Sequence, residues 1–335
     1  MKLTKIALGV ALVAGTVAAQ AADKLWFPHV VVSGTVTTIA TVIDADPAGV
    51  MYTPRNQHWI YAGKNIAAGE ERAVTNANTC SEVDVNLPFS VFDIQSVDLG
   101  NIIAKPGDYG VLFNDPSVHN NWRAGVVGKT YALADKYRAG AFATRGYLVV
   151  EDPDAAAGTL AGYALVFDYK TGSAWGYTAE TLDAATLGNH DDVATGFGVH
   201  LMPVAEVVSR LLITPVDNTV AAMLPGNANF GKLATTIAPV ALAGGHVFNR
   251  DEDPISGQQP QSVTCIGTVD VHELISSGAA QFVPDGGWLK LATTSTAPAT
   301  GSVVYQLDFG GEGATQKTLN GVGYTGGWNN LMVVR

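Results

Sequence analysis

The strongest constraint on this chain is the recurrence of short apolar, β-branched runs cut at close intervals by Gly, Pro, Asn and Asp. Runs of this length are too short for stable helices and suit strands joined by turns. The series predicts strands over Leu25–Val32, Val36–Ile43, Trp59–Ala62, Val83–Leu87, Val91–Val97 and Gly110–Phe113. It continues over Phe142–Val150, Leu160–Tyr169, Ser173–Thr178, Val240–Phe248, Ser262–Val269, Trp288–Ala292, Ser302–Phe309 and Leu331–Val334. From Val303 to Phe309 apolar and polar residues alternate over much of the run, as in a strand with one packed face and one wet face. Tyr163–Phe167 is apolar on both faces and suits an inner strand. The 37 glycines and 15 prolines among 335 residues favour turns over long helices.

Helix signals are few. Asp270 is an N-cap candidate with Glu273 three residues on, the spacing of a capping box, and Gly278 is a stop signal. Pro203 followed by Val204–Leu212 fits a short helix or a strand, and Thr130–Arg138 is a weaker helix candidate. The expected fold is therefore mainly β, an antiparallel β-sandwich in two packed halves with one to three short helices. The linker-like stretch 215–239, rich in Ala, Gly, Asn and Pro, divides an N-terminal half (22–214) from a C-terminal half (215–335).

The first 21 residues carry Lys2 and Lys5, an uncharged, largely apolar run from Ile6 to Ala18, and Ala19-Gln20-Ala21. That is the order of a secretory signal peptide with a small-x-small cleavage site. Its apolar run falls short of the roughly 20 residues a spanning helix needs. The expected address is the periplasm, cell surface or exterior, reached by a Sec-type signal, with no transmembrane helix after leader removal. The run Leu25-Trp26-Phe27-Pro28-His29, then Thr37–Ile43, resembles the start of secreted bacterial proteins, a likeness that implies export and no catalytic residue. In an oxidising compartment the two cysteines, Cys80 and Cys265, are expected to form one disulfide holding the halves together.

Charge narrows the partners. There are 30 acidic against 19 basic residues, a net charge of −11, and binding a nucleic-acid backbone needs the opposite excess. Envelope or extracellular partners, self-association or a glycan remain.

Motifs for chemistry are sparse. His272-Glu273 opens like a zincin motif, but position 276 is Ser, and Gly172-Ser173-Ala174-Trp175-Gly176 places its serine one residue too early for a nucleophile elbow. His190-Asp191-Asp192 and Asp251-Glu252-Asp253 are the candidate metal sites, calcium being the natural ion for oxygen-rich turns. Neither has a spaced ligand ladder, and both also read as polar turns, so no cofactor is expected. Trp175 and Tyr177 are candidates for stacking on a sugar ring, although tryptophans in such chains more often fill the core. One repeated element stands out: Gly286-Gly287-Trp288-x-x-Leu291 recurs as Gly326-Gly327-Trp328-x-x-Leu331.

The expected function is that of an exported, non-enzymatic β-sandwich protein of the cell envelope or exterior, structural or adhesive. The alternative is a carbohydrate-binding or carbohydrate-acting secreted protein, and the third reading is an outer-membrane porin-like barrel. Geometry separates the first two: several coplanar exposed aromatics beside paired carboxylates in a cleft favour a sugar, buried tryptophans and a featureless surface a structural unit.

Overall fold

The computed structural model describes residues 24–33, 35–45, 54–66, 72–103, 112, 114, 118, 143–153, 159–168, 173–203, 207–310 and 329–333. The leader, Thr130–Arg138 and the second Gly-Gly-Trp copy lie outside them. In the N-terminal half the strands are β1 (Lys24–Ser33), β2 (Val36–Asp44), β3 (Pro54–Asn65), β4 (Ser81–Ser90) and β5 (Ile94–Asp98). They continue as β6 (Ala143–Glu151), β7 (Leu160–Asp168), β8 (Ser173–Thr178), β9 (Glu180–Thr181) and β10 (Phe197–Leu201). Next come β11 (Val207–Val216), β12 (Ala234–Pro239), β13 (Val247–Asn249), β14 (Pro254–Ile255) and β15 (Gln261–Thr264). The last are β16 (Gly267–Asp270), β17 (Gly287–Thr296), β18 (Gly301–Gly310) and β19 (Asn329–Val333). Short helices α1 (Arg72–Ala77), α2 (Leu99–Ile103), α3 (Ala184–Gly188) and α4 (Ser277–Ala280) interrupt them. Among the described residues helix amounts to 11% against 59% strand, far below the roughly one-third helix of an average globular domain.

The strands form four antiparallel sheets. Their orders are β4-β3-β6-β1-β9, β5-β2-β7-β8, β16-β11-β18-β19 and β14-β13-β17-β12-β15, with β10 also paired to β17. Among the described residues none of these sheets closes into a barrel, and no helix is long and apolar enough to cross a membrane. The architecture is consistent with a β-sandwich of several layers.

The β11-β18 pair explains the layering. On one face, Val208, Leu212 and Val216 of β11, with Val303, Tyr305 and Leu307 of β18, join a core that also holds Trp26, Trp59 and Leu148. The alternate residues Leu211, Ile213 and Val304 join a second core with Val199, Ile237, Leu289 and Leu291. A strand buried on both faces loses the polar-out alternation of an edge sheet. This is why the segment Val204–Leu212, ambiguous between helix and strand, enters a ten-residue strand from Val207 on: β16 and β18 satisfy both of that strand's edges. The 214/215 division falls inside β11, and β12 takes up the end of the 215–239 stretch.

The two halves meet at a dense polar and covalent junction. Cys80 and Cys265 are bonded, with Cα atoms 5.9 Å apart and a sequence separation of 185. The backbone N–H of Cys80 donates to the Gly231 carbonyl, and that of Cys265 to the Leu233 carbonyl. The Lys64 ammonium reaches three backbone carbonyls, those of Asn76 (3.3 Å), Asn78 (3.0 Å) and Thr264 (2.9 Å). Burial pushes the Lys64 amine down to about 7, with buried Arg145 adding to the effect. Three acceptors match the three protons of an ammonium, the arrangement a buried cation requires.

Two buried arginines bind carboxylates of other strands or segments, one within a sheet and one between sheets. The Arg210 guanidinium donates to both carboxylate oxygens of Asp270, at 2.5 and 3.2 Å, and lies 5.1 Å from the centre of the Phe309 ring. The Arg55 guanidinium sits 2.8 Å from Asp44 and 3.7 Å from Asp152. Such pairs add little net stability, because desolvation offsets most of the attraction.

Several local expectations are corrected. The capping box at Asp270 forms as read, but it opens a single 3-10 turn, Val271–Leu274. Ile275 then returns to extended backbone and bridges Gln258, so the next helix starts afresh at Ser277 with Ser276 as N-cap, and Gly278 lies inside it. Val240–Phe248 is not one strand: Ala243 and Gly244 adopt positive φ, and a tight turn from Leu242 to Gly245 divides it. Ser262–Val269 breaks at Cys265 (φ 62°), where the disulfide and the bond to Leu233 redirect the chain. Val91–Val97 begins with a turn at Phe92 (φ 64°), and the strand starts at Ile94.

Candidate functional site

The candidate site lies where β10, β13 and the start of β17 meet. Gly287 pairs with Leu201 of β10 on one side and with Asn249 of β13 on the other. A side chain at Gly287 would put its Cβ 2.0 Å from the Phe248 carbonyl oxygen; one at Gly286 (φ 87°) would lie 2.3 Å from that of Leu201. Only glycine lets β17 enter between these two backbones. The Gly-Gly-Trp element is thus a packing requirement that delivers Trp288 to the solvent side of the sheet.

Trp288 sits in register between His200 and Phe248. The Phe248 ring stacks on the indole with centroids 4.4 Å apart and planes 11° from parallel. Phe248 is buried, whereas Trp288 is 37% exposed. The exposed surface opens into a groove of about 500 Å3, whose walls include His200, Asn249, Arg250, Glu252 and Asp285. The Asn249 side chain is committed to the turn itself: its oxygen accepts from the N–H groups of Asp251 and Asp253, and its amide donates to the Asp253 carboxylate. His200 is held from behind by a short contact between its Nε2 and the buried Asp308 carboxylate. That bond raises the His200 pKa, against the opposing effect of partial burial.

The residues singled out as candidate ligands are placed apart. Asp251, Glu252 and Asp253 form the exposed β13–β14 turn, with Glu252 at a φ of 65°, and only Glu252 faces the groove. His190, Asp191 and Asp192 diverge into three structural contacts. His190 Nε2 lies 2.8 Å from Glu180, and the Asp191 carboxylate accepts from the Asn218 amide. Asp192 accepts from the Thr293 hydroxyl (2.7 Å) and the Ser295 N–H (2.5 Å) on β17. Consecutive residues that bind three different elements cannot converge on one ion. Asp270, His272 and Glu273 do bring ligand atoms within 4.8 Å of one another, but Asp270 already binds Arg210 and Glu273 completes the capping box.

Trp175 and Tyr177 are corrected as a sugar platform. They are 6% and 8% exposed, stack on each other, and belong to the first core. The Tyr177 hydroxyl donates to the His29 carbonyl and accepts from its N–H, which fixes the ring inward. Trp26 and Trp59 are also fully buried, as expected of core tryptophans. Trp288 is the exposed member among those described. The sequence did mark it, through its paired glycines, but gave no sign of what would pack opposite; Arg250 and Asp285 carried no signal at all. No family model, curated protein or solved structure matches this chain.

Proposed function

We propose that this protein is an exported β-sandwich unit of the cell envelope or exterior, structural or adhesive rather than enzymatic. The observation that carries this reading is the Cys80–Cys265 bond, which ties chain segments 185 residues apart in a body already joined by a shared core. A bridge of this kind persists in an oxidising compartment and resists unfolding outside the reach of cellular chaperones. The histidine–carboxylate pairs support the same reading. His58 with Asp84 and Glu151, His190 with Glu180 and His200 with Asp308 each join different strands or segments.

Fractionation of the native host tests it, combined with a thiol count on the denatured, unreduced protein. Recovery from the periplasm, surface or medium with no free thiol is expected. Recovery from the cytoplasm with two free thiols overturns the proposal. The exposed Trp288 favours a second reading, carbohydrate binding, which would give the adhesive role its ligand.

A further inference from the structure

Trp288 combines three properties of a recognition residue. Its indole is held in place by the buried Phe248 ring, so a ligand would not have to order it. It lines a concavity of about 500 Å3, inside the roughly 300–1,000 Å3 range of small-ligand clefts. Around it stand groups of opposite character: the carboxylates of Glu252 and Asp285, the guanidinium of Arg250, and His200 anchored by Asp308. A lone exposed aromatic on a convex surface needs no explanation, but one in a groove that charged residues also line does.

We propose that this groove is a carbohydrate-binding site that takes a neutral pyranose ring beside the exposed indole of Trp288. One face of a pyranose is lined with C–H groups, whose weak positive charge complements the negative face of an aromatic ring. Its rim carries hydroxyls, each both donor and acceptor. Glu252 and Asp285 accept from such hydroxyls, Arg250 donates to them, and bonds to charged groups are the stronger kind. Two carboxylates against one guanidinium, on a chain of net charge −11, disfavour uronic acids and phosphorylated sugars. A basic peptide is the competing occupant, since a cation also sits well on an indole. Arg250 in the same wall weighs against it. The proposal gives a ligand to the adhesive reading above and rests on it only for where that ligand is met.

The test is calorimetric titration of the full oxidised chain with cellotriose, maltotriose, mannotriose, chitotriose and xylotriose. Trigalacturonate and oligolysine are the charged comparisons. At least one neutral trisaccharide is expected to bind, with Trp288→Ala weakening it about tenfold or more and Trp288→Tyr keeping most of the affinity. Unchanged melting of Trp288→Ala would show that the loss is local; if that variant fails to fold, Glu252→Gln and Asp285→Asn are expected to weaken binding instead. Three outcomes overturn the proposal: no neutral sugar binding up to about 10 mM, neutral sugar binding indifferent to these variants, or binding of oligolysine alone. Export and sugar binding fail separately. A cytoplasmic protein that binds sugar sinks only the location, and an exported one that binds none of these sugars sinks only the groove.

Discussion

The side-chain amide of Asn76 takes the place of a neighbouring strand for Thr268, 192 residues away. Its Nδ2 donates to the Thr268 carbonyl at 2.8 Å, and its Oδ1 accepts from the Thr268 N–H at 3.1 Å. Thr268 lies on β16, the edge of its sheet, so these two bonds satisfy backbone groups that would otherwise be buried without a partner. Arg145 adds a bond from its guanidinium to the Thr268 hydroxyl. A residue of the N-terminal half thus completes a sheet of the C-terminal half.

Replacing Asn76 by Ala is expected to destabilise the protein by about 2–4 kcal/mol, because it strands one buried donor and one buried acceptor. Urea unfolding would show this as a lower midpoint with an unchanged slope. A variant as stable as the parent would mean that water substitutes for the amide.

The disulfide should be the largest single contribution at the junction. A bridge across 185 residues restricts the unfolded chain by about 5 kcal/mol in the chain-entropy account, an upper value when unfolded structure persists. Double replacement by Ala is expected to lower stability by several kcal/mol. Because Cys265 is buried and Cys80 nearly so, mild reductant should leave the bond intact until denaturant is added. Rapid reduction of the native protein would contradict this placement.

The His58 site predicts a pH window. The hydrogen bond to Glu151 raises the His58 pKa above 6.5, with Asp84 adding to it, while the same bond lowers that of Glu151 below 4.5. A raised histidine contributes fully below about 6.5 and loses its contribution as pH rises through its folded value. A lowered carboxylate contributes above about 4.5 and loses it as pH falls through its folded value. The stabilisation is therefore greatest between these limits. His58→Gln is expected to flatten both arms of the melting-temperature profile; one that leaves the profile unchanged would show that the pairs are fully screened.

Asp192 caps the open edge of β17, and its replacement by Ala is expected to cost about 1–3 kcal/mol by freeing the Ser295 N–H. Added calcium is expected to leave the melting temperature of the parent protein unchanged. A calcium-dependent rise abolished in the variant would restore the metal reading.

Much of the strand pattern was legible because alternation and turn residues act over a few positions. The runs at β1, β2, β7, β8 and β18 match their strands to within a residue or two. Two of the lapses are local turns, at Phe92 and at Ala243-Gly244, and two share a distant cause. At Cys265 and at Ile275 the chain leaves its local preference to satisfy a distant partner, the disulfide in one case and Gln258 in the other.

Local sequence by itself determined the β class, the capping box at Asp270 and the pairing open to two cysteines. Tertiary structure alone decided which faces are buried. Trp175 and Trp288 both lie on strands beside glycines, yet one is enclosed by Tyr177 and the first core while the other looks into a groove. Burial depends on what packs opposite a side chain, and that partner comes from strands far away in the chain. The same holds for His190, Asp191 and Asp192, whose side chains reach β9, the β11–β12 connection and β17. Proximity in sequence sets where side chains begin; the sheets around them decide where they end.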